Sequence, residues 1–254
     1  MTQKSKKVCV TIEARLGSSR LPGKVMKKVT DDMVMIELMI HRIRSCKNVD
    51  DIIVATTENI KDDKLCDFLN SIGVNYHRGS EENVLERVLH AAEENEADII
   101  VELCGDCPLI DPQLIDKMIE KFLESDCDYL ANTTIMSDYP RGSDIQVFFT
   151  TGLRKAYEMT TDPDDLENVS LYIYNNPELY SLMKMSPPDR PLDSKMRLTV
   201  DFQEDLDLIS EIVSSIGKDC SLYEISDFLK DNPQIREINQ LVESSFINDV
   251  NRYG

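Results

Sequence analysis

The alternation of short apolar runs with longer helical segments constrains the fold of this chain more than any other feature of its sequence. The apolar runs are rich in Val and Ile, which is typical of buried strands, and they occur at residues 8–12, 51–56, 74–77 and 98–103. Segments with helical spacing of apolar residues separate them, at residues 33–45, 61–72 and 83–95. Such alternation is typical of a parallel sheet that helices cover on both faces. The sequence therefore predicts an α/β fold with three layers and a mostly parallel, mixed central sheet.

The middle of the chain departs from this alternation. Strands are predicted at residues 129–134, 145–149 and 180–185, and helices at 151–159 and 164–174. A last sheet-like segment follows at 197–201, and helices are predicted at 203–216, 222–231 and 234–246. The length of 254 residues suits one domain over residues 1–254, in which residues 128–190 form a distinct subregion.

A basic loop follows the first strand. Small residues alternate there with cations, and no Asp or Glu occurs between Glu13 and Asp31. Small residues let the backbone approach a ligand, free amides can face an anion, and clustered cations suit a polyphosphate. The loop therefore indicates a phosphate site, with a solvated basic surface loop as the alternative. Its candidate contacts are Ala14, Arg15, Gly17, Ser18, Ser19, Arg20 and Lys24.

Known phosphate motifs do not describe this loop. Val25 follows Gly23 and Lys24, so the Walker pattern G-x-x-x-x-G-K-[ST] is broken, and the G-x-G-x-x-G spacing is absent. Arg78 and Ser80 follow the predicted strand at residues 74–77. Their position alone makes them candidates for contacts to a nucleoside or a sugar.

Two aspartates follow predicted strand ends further along the chain. Asp106 comes shortly after residues 98–103, where a carboxylate can hold Mg²⁺ against the phosphates of a nucleotide or, alternatively, close a turn. Asp201 ends the sheet-like segment and is a second candidate metal ligand. Asp201 and Glu204 also have the spacing of a helix capping box, which is the structural alternative.

Cys104 and Cys107 flank Asp106 in a C-x-x-C pattern. No second such pair exists and no histidine lies nearby, so we expect neither a redox dithiol nor a zinc site. Asp111 precedes Pro112 and has the pattern of a helix N-cap, which explains it without a functional role.

Charge and composition exclude several classes of partner. The net charge of −19 argues against a nucleic-acid partner, so an anionic ligand must be held by a local group of cations and by metal ions. Seven cysteines are an odd number, and they predict free thiols rather than a disulfide framework. No apolar segment is long enough to span a bilayer and no apolar leader begins the sequence, so we expect a cytoplasmic protein without a membrane partner.

Residues 14–24 resemble the first motif of the cytidylyltransferases that activate acidic sugars as their CMP derivatives. The pattern A-R-x-G-S-x-R-L-P-G-K of the spore coat polysaccharide branch recurs from Ala14 to Lys24. The chain is also similar to the family in G-D-x-P-L at 105–109, Y-P-R-G-x-D at 139–144 and V-D-x-x-E-D-L at 200–206. It departs from the branch at Asn168, where a histidine is frequent. The fold that this resemblance implies is that of the nucleotide-diphospho-sugar transferases.

The resemblance implies a nucleotidyltransferase that uses Mg²⁺ and CTP. A hydroxyl of an acidic sugar, of the nonulosonate or 3-deoxy-octulosonate type, attacks the α-phosphorus of CTP, and pyrophosphate leaves. The product serves the biosynthesis of a surface polysaccharide or glycan. The residues implied as catalytic are Arg15, Lys24, Asp106 and Asp201, with the two aspartates as metal ligands.

The resemblance also gives the middle region a role. Arg141 and Asp144 are implied as contacts of the acceptor sugar, with an exposed turn and its ion pair as the alternative. The same region, residues 128–190, is implied as the interface of a homodimer.

Two other functions are compatible with such a sheet. A glycosyltransferase would carry a D-x-D pair, and the acidic pair considered for that role, Asp62 with Asp63, lies in a predicted helix. A non-catalytic nucleotide-binding homologue would be expected to have lost a cation or carboxylate of the motifs, and this chain keeps them all.

Overall fold

The computed structural model describes residues 6–133 and 138–242. Its strands are β1 Val8–Glu13, β2 Lys28–Thr30, β3 Met33–Val34, β4 Asp51–Thr57, β5 Asn75–Gly79, β6 Ile99–Cys104, β7 Tyr129–Ala131, β8 Gln146–Phe149 and β9 Leu182–Lys184. Its α-helices are α1 Met35–Ile43, α2 Asp63–Ser71, α3 Val84–Glu94, α4 Pro112–Leu123, α5 Thr150–Met159, α6 Pro163–Glu167, α7 Leu171–Asn175, α8 Gln203–Ile216, α9 Leu222–Asp231 and α10 Pro233–Arg236. Short 3₁₀ helices occur at Lys24–Met26, Ile60–Asp62 and Glu237–Asn239.

Seven strands form the central sheet in the order β5-β4-β1-β6-β8-β7-β9. Strands β5, β4, β1 and β6 are parallel, β8 is antiparallel to both of its neighbours, and β9 is parallel to β7. The mostly parallel, mixed sheet predicted from the sequence is therefore confirmed. A separate two-stranded ribbon, β2 with β3, was not predicted.

Helices cover both faces of this sheet, as predicted. Alternate residues of β1 face opposite sides: Val10 packs in a core with residues of α1, α4 and α8, and Cys9 packs in a second core with residues of α3, α5 and α7. Both residues are fully buried. None of the helices within the described ranges is both long and apolar enough to cross a bilayer.

The strand ends that carry the predicted site lie side by side. Glu13, the last residue of β1, is in register with Ala55 of β4 and with Cys104 of β6. The loops that leave β1 and β6 therefore start from the same edge of the sheet. Ligands of open α/β sheets bind at this carboxyl edge.

The helix predicted at 164–174 is wrong as a single helix. The backbone N–H of Asn168 bonds to the carbonyl of Asp164 and ends α6, and Asn168 leaves the helical conformation. Val169 and Ser170 are buried, and α7 begins only after them. Burial of this short turn overrides the helical periodicity of the segment.

The segment at 197–201 contains no strand. Its backbone pairs with loops instead: the N–H of Leu198 donates to the carbonyl of Arg141 at 2.7 Å, and the N–H of Val200 donates to the carbonyl of Asp106 at 2.8 Å. This pairing brings Asp201 beside the loop that follows β6.

Other predicted boundaries shift by a few residues. Met33 and Val34 belong to β3, so the first helix is shorter than predicted. The strand predicted at 129–134 ends at Ala131, and residue 134 lies outside the described residues. The described part of the helix predicted at 234–246 is helical but interrupted: α10 is followed by a 3₁₀ turn and by helical residues 240–242, and residues 243–246 are again outside the described part.

Candidate active site

The basic loop leaves β1 and closes on itself at Leu16. The carbonyl of Leu16 accepts the N–H of Gly23 at 3.0 Å, and the N–H of Leu16 donates to Asp62 Oδ1 at 2.6 Å. Gly23 has φ 68°, in the left-handed region that glycine adopts without strain. Residues 17–22 are therefore held as a closed loop at the edge of the sheet.

Lys24 joins this loop to the two predicted aspartates. Its Nζ lies 2.9 Å from Asp106 Oδ2 and 3.1 Å from Asp201 Oδ1, and it donates to the carbonyl of Val200 at 2.9 Å. Burial by itself lowers the pKa of Lys24, but the two carboxylates outweigh burial and raise that pKa above its ordinary value. The ammonium therefore stays charged and holds together residues from three distant parts of the sequence.

Asp201 accepts from three cations. Besides Lys24, Arg20 Nη2 lies 2.6 Å from Oδ1 and Arg197 Nη2 lies 2.9 Å from Oδ2. Burial alone would raise the pKa of Asp201, but Lys24, Arg197 and Arg20 lower it from 3.8 to about 2. The carboxylate is thus ionised throughout the physiological range, although only 4 % of its side chain is exposed.

Asp205, which the sequence analysis did not single out, takes the capping role. Its Oδ2 accepts the backbone N–H groups of Asp201 and Phe202 at 2.9 and 3.0 Å, at the start of α8. Asp205 also pairs with Arg197, whose Nε lies 2.9 Å from Oδ1. The capping box suggested for Asp201 and Glu204 is therefore wrong, and the side chain of Asp201 is left for the site. The spacing of Arg197, Asp201 and Asp205 by four residues each was the signal that could have identified this network.

The turn after β6 packs directly on the end of β1. The N–H of Gly105 donates to the carbonyl of Glu13 at 2.9 Å, and a Cβ on Gly105 would lie only 2.6 Å from that oxygen. Any side chain at this position would push the two strand ends apart and move Asp106.

Asp111 accepts the N–H groups of Gln113 and Leu114 at the start of α4, as its pattern predicted.

These residues surround a cleft of about 600 Å³. It brings together most of the predicted nucleotide and catalytic residues, which are Ala14, Arg15, Gly17, Ser18, Ser19, Arg20, Lys24 and Asp106. Asp201 lies behind Lys24 and Arg20. The cleft is also lined by residues to which the sequence analysis gave no site role, among them Glu13, Arg87 and Glu167, and by Cys104 and the branch-variant Asn168.

Arg15 faces the cleft from its rim. Its Nη1 lies 3.0 Å from Glu81 Oε1, and 43 % of each side chain is exposed. Glu81 is held in turn by Asn59 Nδ2 at 3.1 Å. This exposed pair is weak, so Arg15 can exchange Glu81 for a phosphate at little cost.

Arg78 and Ser80 do not belong to the lining of the cleft. The guanidinium of Arg78 donates to the carbonyls of Thr57 and Asn59 and pairs with Asp63 at 2.7 Å. The hydroxyl of Ser80 accepts two backbone N–H groups at the start of α3. Both side chains fix the loops around β5 in this structure.

Arg141 and Asp144 lie in a turn beside the Asp201 segment and also outside the lining of the cleft. Asp144 Oδ2 accepts the N–H of Gly142 at 3.0 Å. Gly142 has φ 95°, and a Cβ there would lie 2.4 Å from the backbone nitrogen of Thr199. Asn132, fully buried, holds the other side of the turn through the carbonyl of Ser143. The two acceptor candidates are therefore on a rigid turn next to the site.

Comparison with known proteins decides the family. A family model described as cytidylyltransferase matches residues 9–236. The chain belongs to the cytidylyltransferase family. It is therefore a nucleotidyltransferase.

The relatives of this cytidylyltransferase agree with that assignment. The spore coat polysaccharide biosynthesis protein SpsF of Bacillus subtilis is 33% identical over 87% of this chain and 93% of its own length. A 3-deoxy-manno-octulosonate cytidylyltransferase of Geobacter metallireducens is 25% identical over 75% of this chain and 83% of its own. Among solved structures, a cytidylyltransferase from Leptospira borgpetersenii has a TM-score of 0.84 at 34% identity and covers 91% of this chain and 96% of that one.

Glu13, which lines the cytidylyltransferase cleft, lies on the strand next to that of the buried Glu102. The two carboxyl groups, on the neighbouring strands β1 and β6, are close enough for each to influence the pKa of the other. Burial raises the pKa of Glu13 to about 7, although Arg87 opposes this rise, and burial together with the charge of Glu13 raises the pKa of Glu102 well above its usual value. The pair therefore keeps at least one proton at neutral pH.

The cysteines of this cytidylyltransferase behave as the sequence predicted. All seven are free thiols. Desolvation and the neighbouring carboxyl groups Glu13 and Asp106 raise the pKa of Cys104 well above its usual value, and burial does the same for Cys107. Both thiols are therefore protonated at neutral pH, which disfavours redox chemistry.

The donor set at Lys24 fits Mg²⁺. No group of three or more His, Cys, Asp or Glu side chains within residues 6–133 and 138–242 is arranged to hold a metal ion. Magnesium, however, usually takes one or two carboxylates and completes its shell with water and substrate phosphates. Asp106 and Asp201 supply two carboxylates that already share one cation, the ammonium of Lys24.

Proposed function

We propose that this cytidylyltransferase transfers CMP from CTP to a hydroxyl of an acidic sugar of the nonulosonate or 3-deoxy-octulosonate type, with release of pyrophosphate. The product would serve the biosynthesis of a surface polysaccharide or glycan. The observation that carries the proposal is the contact of Lys24 and Arg20, which line the cleft, with Asp201 behind them, and of Lys24 with Asp106. Cations from the loop and carboxylates from two later segments are the parts that metal-assisted nucleotidyl transfer needs.

The names of the relatives support the choice of acceptor. One relative acts in the biosynthesis of spore coat polysaccharide, and another is a cytidylyltransferase for 3-deoxy-manno-octulosonate, an acidic sugar. The rigid turn that carries Arg141 and Asp144 lies beside the Asp201 segment, where an acceptor would have to approach the α-phosphate. We therefore assign this turn to the acceptor.

The residues of the cleft would position the triphosphate and neutralise its charge. Arg15 and Arg20 present guanidinium groups, which bind phosphate in a bidentate manner, and Lys24 adds a point charge. Gly17, Ser18 and Ser19 offer backbone and hydroxyl donors from the closed loop. Holding the α-phosphorus in line with the acceptor hydroxyl lowers the barrier without any covalent intermediate on the protein.

Mg²⁺ would be held by Asp106 and Asp201, and when bound it supplies polarisation of a phosphate oxygen and neutralisation of the leaving pyrophosphate. Asp201 is ready for this role because Lys24, Arg197 and Arg20 keep it ionised. Arg197 and Asp205 fix its orientation through contacts on the side away from Lys24.

A glycosyltransferase function is not supported by the acidic pair Asp62 and Asp63. Both oxygens of Asp62 are occupied, by the N–H of Leu16 and the hydroxyl of Thr57, and Asp63 pairs with Arg78. We further propose that residues 1–254 act as one domain, that residues 128–190 serve acceptor binding and homodimer formation, and that the protein works in the cytoplasm, where CTP is made.

The test is a coupled assay of pyrophosphate release. The purified chain is incubated with CTP and Mg²⁺ and with a panel of acidic sugars and their neutral counterparts of equal size. We expect release with at least one acidic sugar and none with the matched neutral sugars. Equal rates with neutral sugars would contradict the assignment of the acceptor, and no release with any acceptor would contradict the proposed function.

A further inference from the structure

Asp62 lies outside the basic loop and outside every motif, yet it holds the residue at which the loop closes. The carboxyl group is buried, with 2 % of the residue exposed. Its Oδ1 accepts the backbone N–H of Leu16 at 2.6 Å, and its Oδ2 accepts the hydroxyl of Thr57 at the end of β4. One side chain therefore connects the loop after β1 to the end of the neighbouring strand.

Leu16 is the point at which such a contact controls the whole loop. Its carbonyl accepts the N–H of Gly23, so the peptide groups on both sides of Leu16 are fixed. Between these two residues lie Gly17, Ser18, Ser19 and Arg20, which line the cleft. A shift of Leu16 would move the closure point and with it all of these groups.

The secondary structure around Asp62 does not explain its carboxylate. Asp62 precedes α2 in the N-cap position, but its side chain makes no capping hydrogen bond to that helix. Both of its oxygens instead bond to groups four or more residues away in sequence. Burying a carboxylate is costly unless its hydrogen bonds are strong. The two hydrogen bonds of Asp62, one of them to the basic loop, offset that cost.

We propose that Asp62 is a positioning residue of the nucleotide site, which presets the basic loop for the triphosphate before CTP binds. This inference rests on the proposed function, because it assumes that the loop binds CTP. Preorganisation lowers the cost of ordering a loop at the moment of binding. Loss of Asp62 should therefore weaken CTP binding although Asp62 itself touches no ligand.

Two substitutions, one drastic and one conservative, test the positioning role of Asp62. Asp62→Ala removes both contacts and leaves the N–H of Leu16 unpaired, and Asp62→Asn keeps the shape but loses the charge of the acceptor. We expect the KM for CTP to rise roughly ten- to a hundred-fold in Asp62→Ala and less in Asp62→Asn, with kcat changed by less than about three-fold. The matched control is Asp67→Asn, which removes an exposed carboxylate from α2, the helix that follows Asp62, and should behave as wild type.

A second readout separates positioning from mere stability. The melting temperature of each variant is measured with and without CTP and Mg²⁺, because a ligand stabilises a protein according to its affinity. At a CTP concentration that saturates the wild type, we expect CTP to raise the melting temperature of both Asp62 variants by less than it raises that of the wild type. If both variants melt earlier but keep the wild-type KM and the wild-type increase with CTP, Asp62 is structural only and the proposal is wrong.

The outcomes remain distinct if other parts of the account fail. Should Asp62→Ala not fold, Asp62→Asn decides alone. If wild type and Asp67→Asn neither turn over nor are stabilised by CTP, the proposed function fails. If the wild type uses CTP and both Asp62 variants have the same KM for CTP and the same stabilisation by CTP, only the positioning role is overturned.

Discussion

Among single residues, Lys24 is the cation that joins the basic loop to both aspartates of the site. Its ammonium lies between Asp106 and Asp201, and only 13 % of its side chain is exposed. Removing it leaves two carboxylates facing each other and takes a charge away from the triphosphate. The contacts of Lys24 are therefore consistent with the nucleotide-binding role that the sequence motif suggested.

We expect Lys24→Ala to lower kcat/KM for CTP by roughly ten- to a hundred-fold, the value of one charge-assisted contact. Steady-state kinetics at saturating Mg²⁺ measure this. Lys28→Ala is the control, because Lys28 is exposed and donates to the carbonyl of its own turn. Equal losses in the two variants would mean that only the net charge matters.

Asp201 and Asp205 should separate function from stability. Asp201→Asn, like Asp106→Asn, is expected to remove measurable turnover and to keep the fold. Asp205→Asn breaks the contacts to Arg197 and the cap of α8, and it should lower the free energy of unfolding by about 3 kcal/mol. Activity assays and thermal melts of the same preparations measure both effects. Near-normal turnover in Asp201→Asn would refute its assignment as a metal ligand.

Acid should also act through Asp201. Its pKa falls from 3.8 to about 2 in the folded protein, so the folded state binds fewer protons than the unfolded chain between these values. The stability that this carboxylate contributes is present above about pH 4 and is lost as the pH falls toward 2. Acid titrations followed by circular dichroism should show that Asp201→Asn loses less stability than the wild type between about pH 4 and pH 2. An equal loss of stability in the two proteins would contradict the lowered pKa of Asp201.

Among the elements, the strands and the loop positions were predictable, and the connections between distant loops were not. Val and Ile patterns located β1, β4, β5 and β6 because buried parallel strands have that composition. The segment at 197–201 has the same composition but bonds to the loops at Arg141 and Asp106, and local patterns do not specify such partners. Asp62 was unpredictable for the same reason, since its partner Leu16 is 46 residues away.

The contact between β1 and β6 gives a test of the carboxyl pair. Glu13 has a pKa raised from 4.5 to about 7 by burial, against the opposing charge of Arg87 and with Asp106 nearby. The folded state therefore binds more protons than the unfolded chain, and the free energy of unfolding should fall as pH rises from about 4.5 to 7. In Glu102→Gln the neighbouring carboxyl cannot ionise, so this fall should be smaller. Melting temperatures across this range that decline equally in both proteins would contradict the pairing.

For the whole molecule, the sheet ends in an edge strand with partly exposed apolar side chains beside it. β9 is the last strand of the sheet, and Leu179, Leu182 and Tyr174 near it are each more than a third exposed. An adjacent groove of about 530 Å³ is lined by Tyr129, Tyr174 and Leu182 among others. Unpaired edges and apolar patches of this kind are common sites of association. They support the proposed homodimer through residues 128–190.

Light scattering at micromolar concentration should give twice the chain mass of 29.0 kDa. Leu182→Lys is expected to yield the monomer, because it places a charge in the apolar edge. Leu123→Lys, at an exposed leucine on α4 outside that region, should leave the dimer intact. A wild-type monomer would contradict the proposed homodimer.

The most direct measurement is a competition among nucleotides in one reaction. CTP, UTP, ATP and GTP are supplied at equal concentration with Mg²⁺ and the best acidic sugar, and the products are identified by mass spectrometry for the wild type and for Asp106→Asn. We expect a CMP-sugar as the dominant product of the wild type and no nucleotidyl sugar from Asp106→Asn. Comparable amounts of UMP-sugar, or an undiminished CMP-sugar from Asp106→Asn, would contradict this expectation.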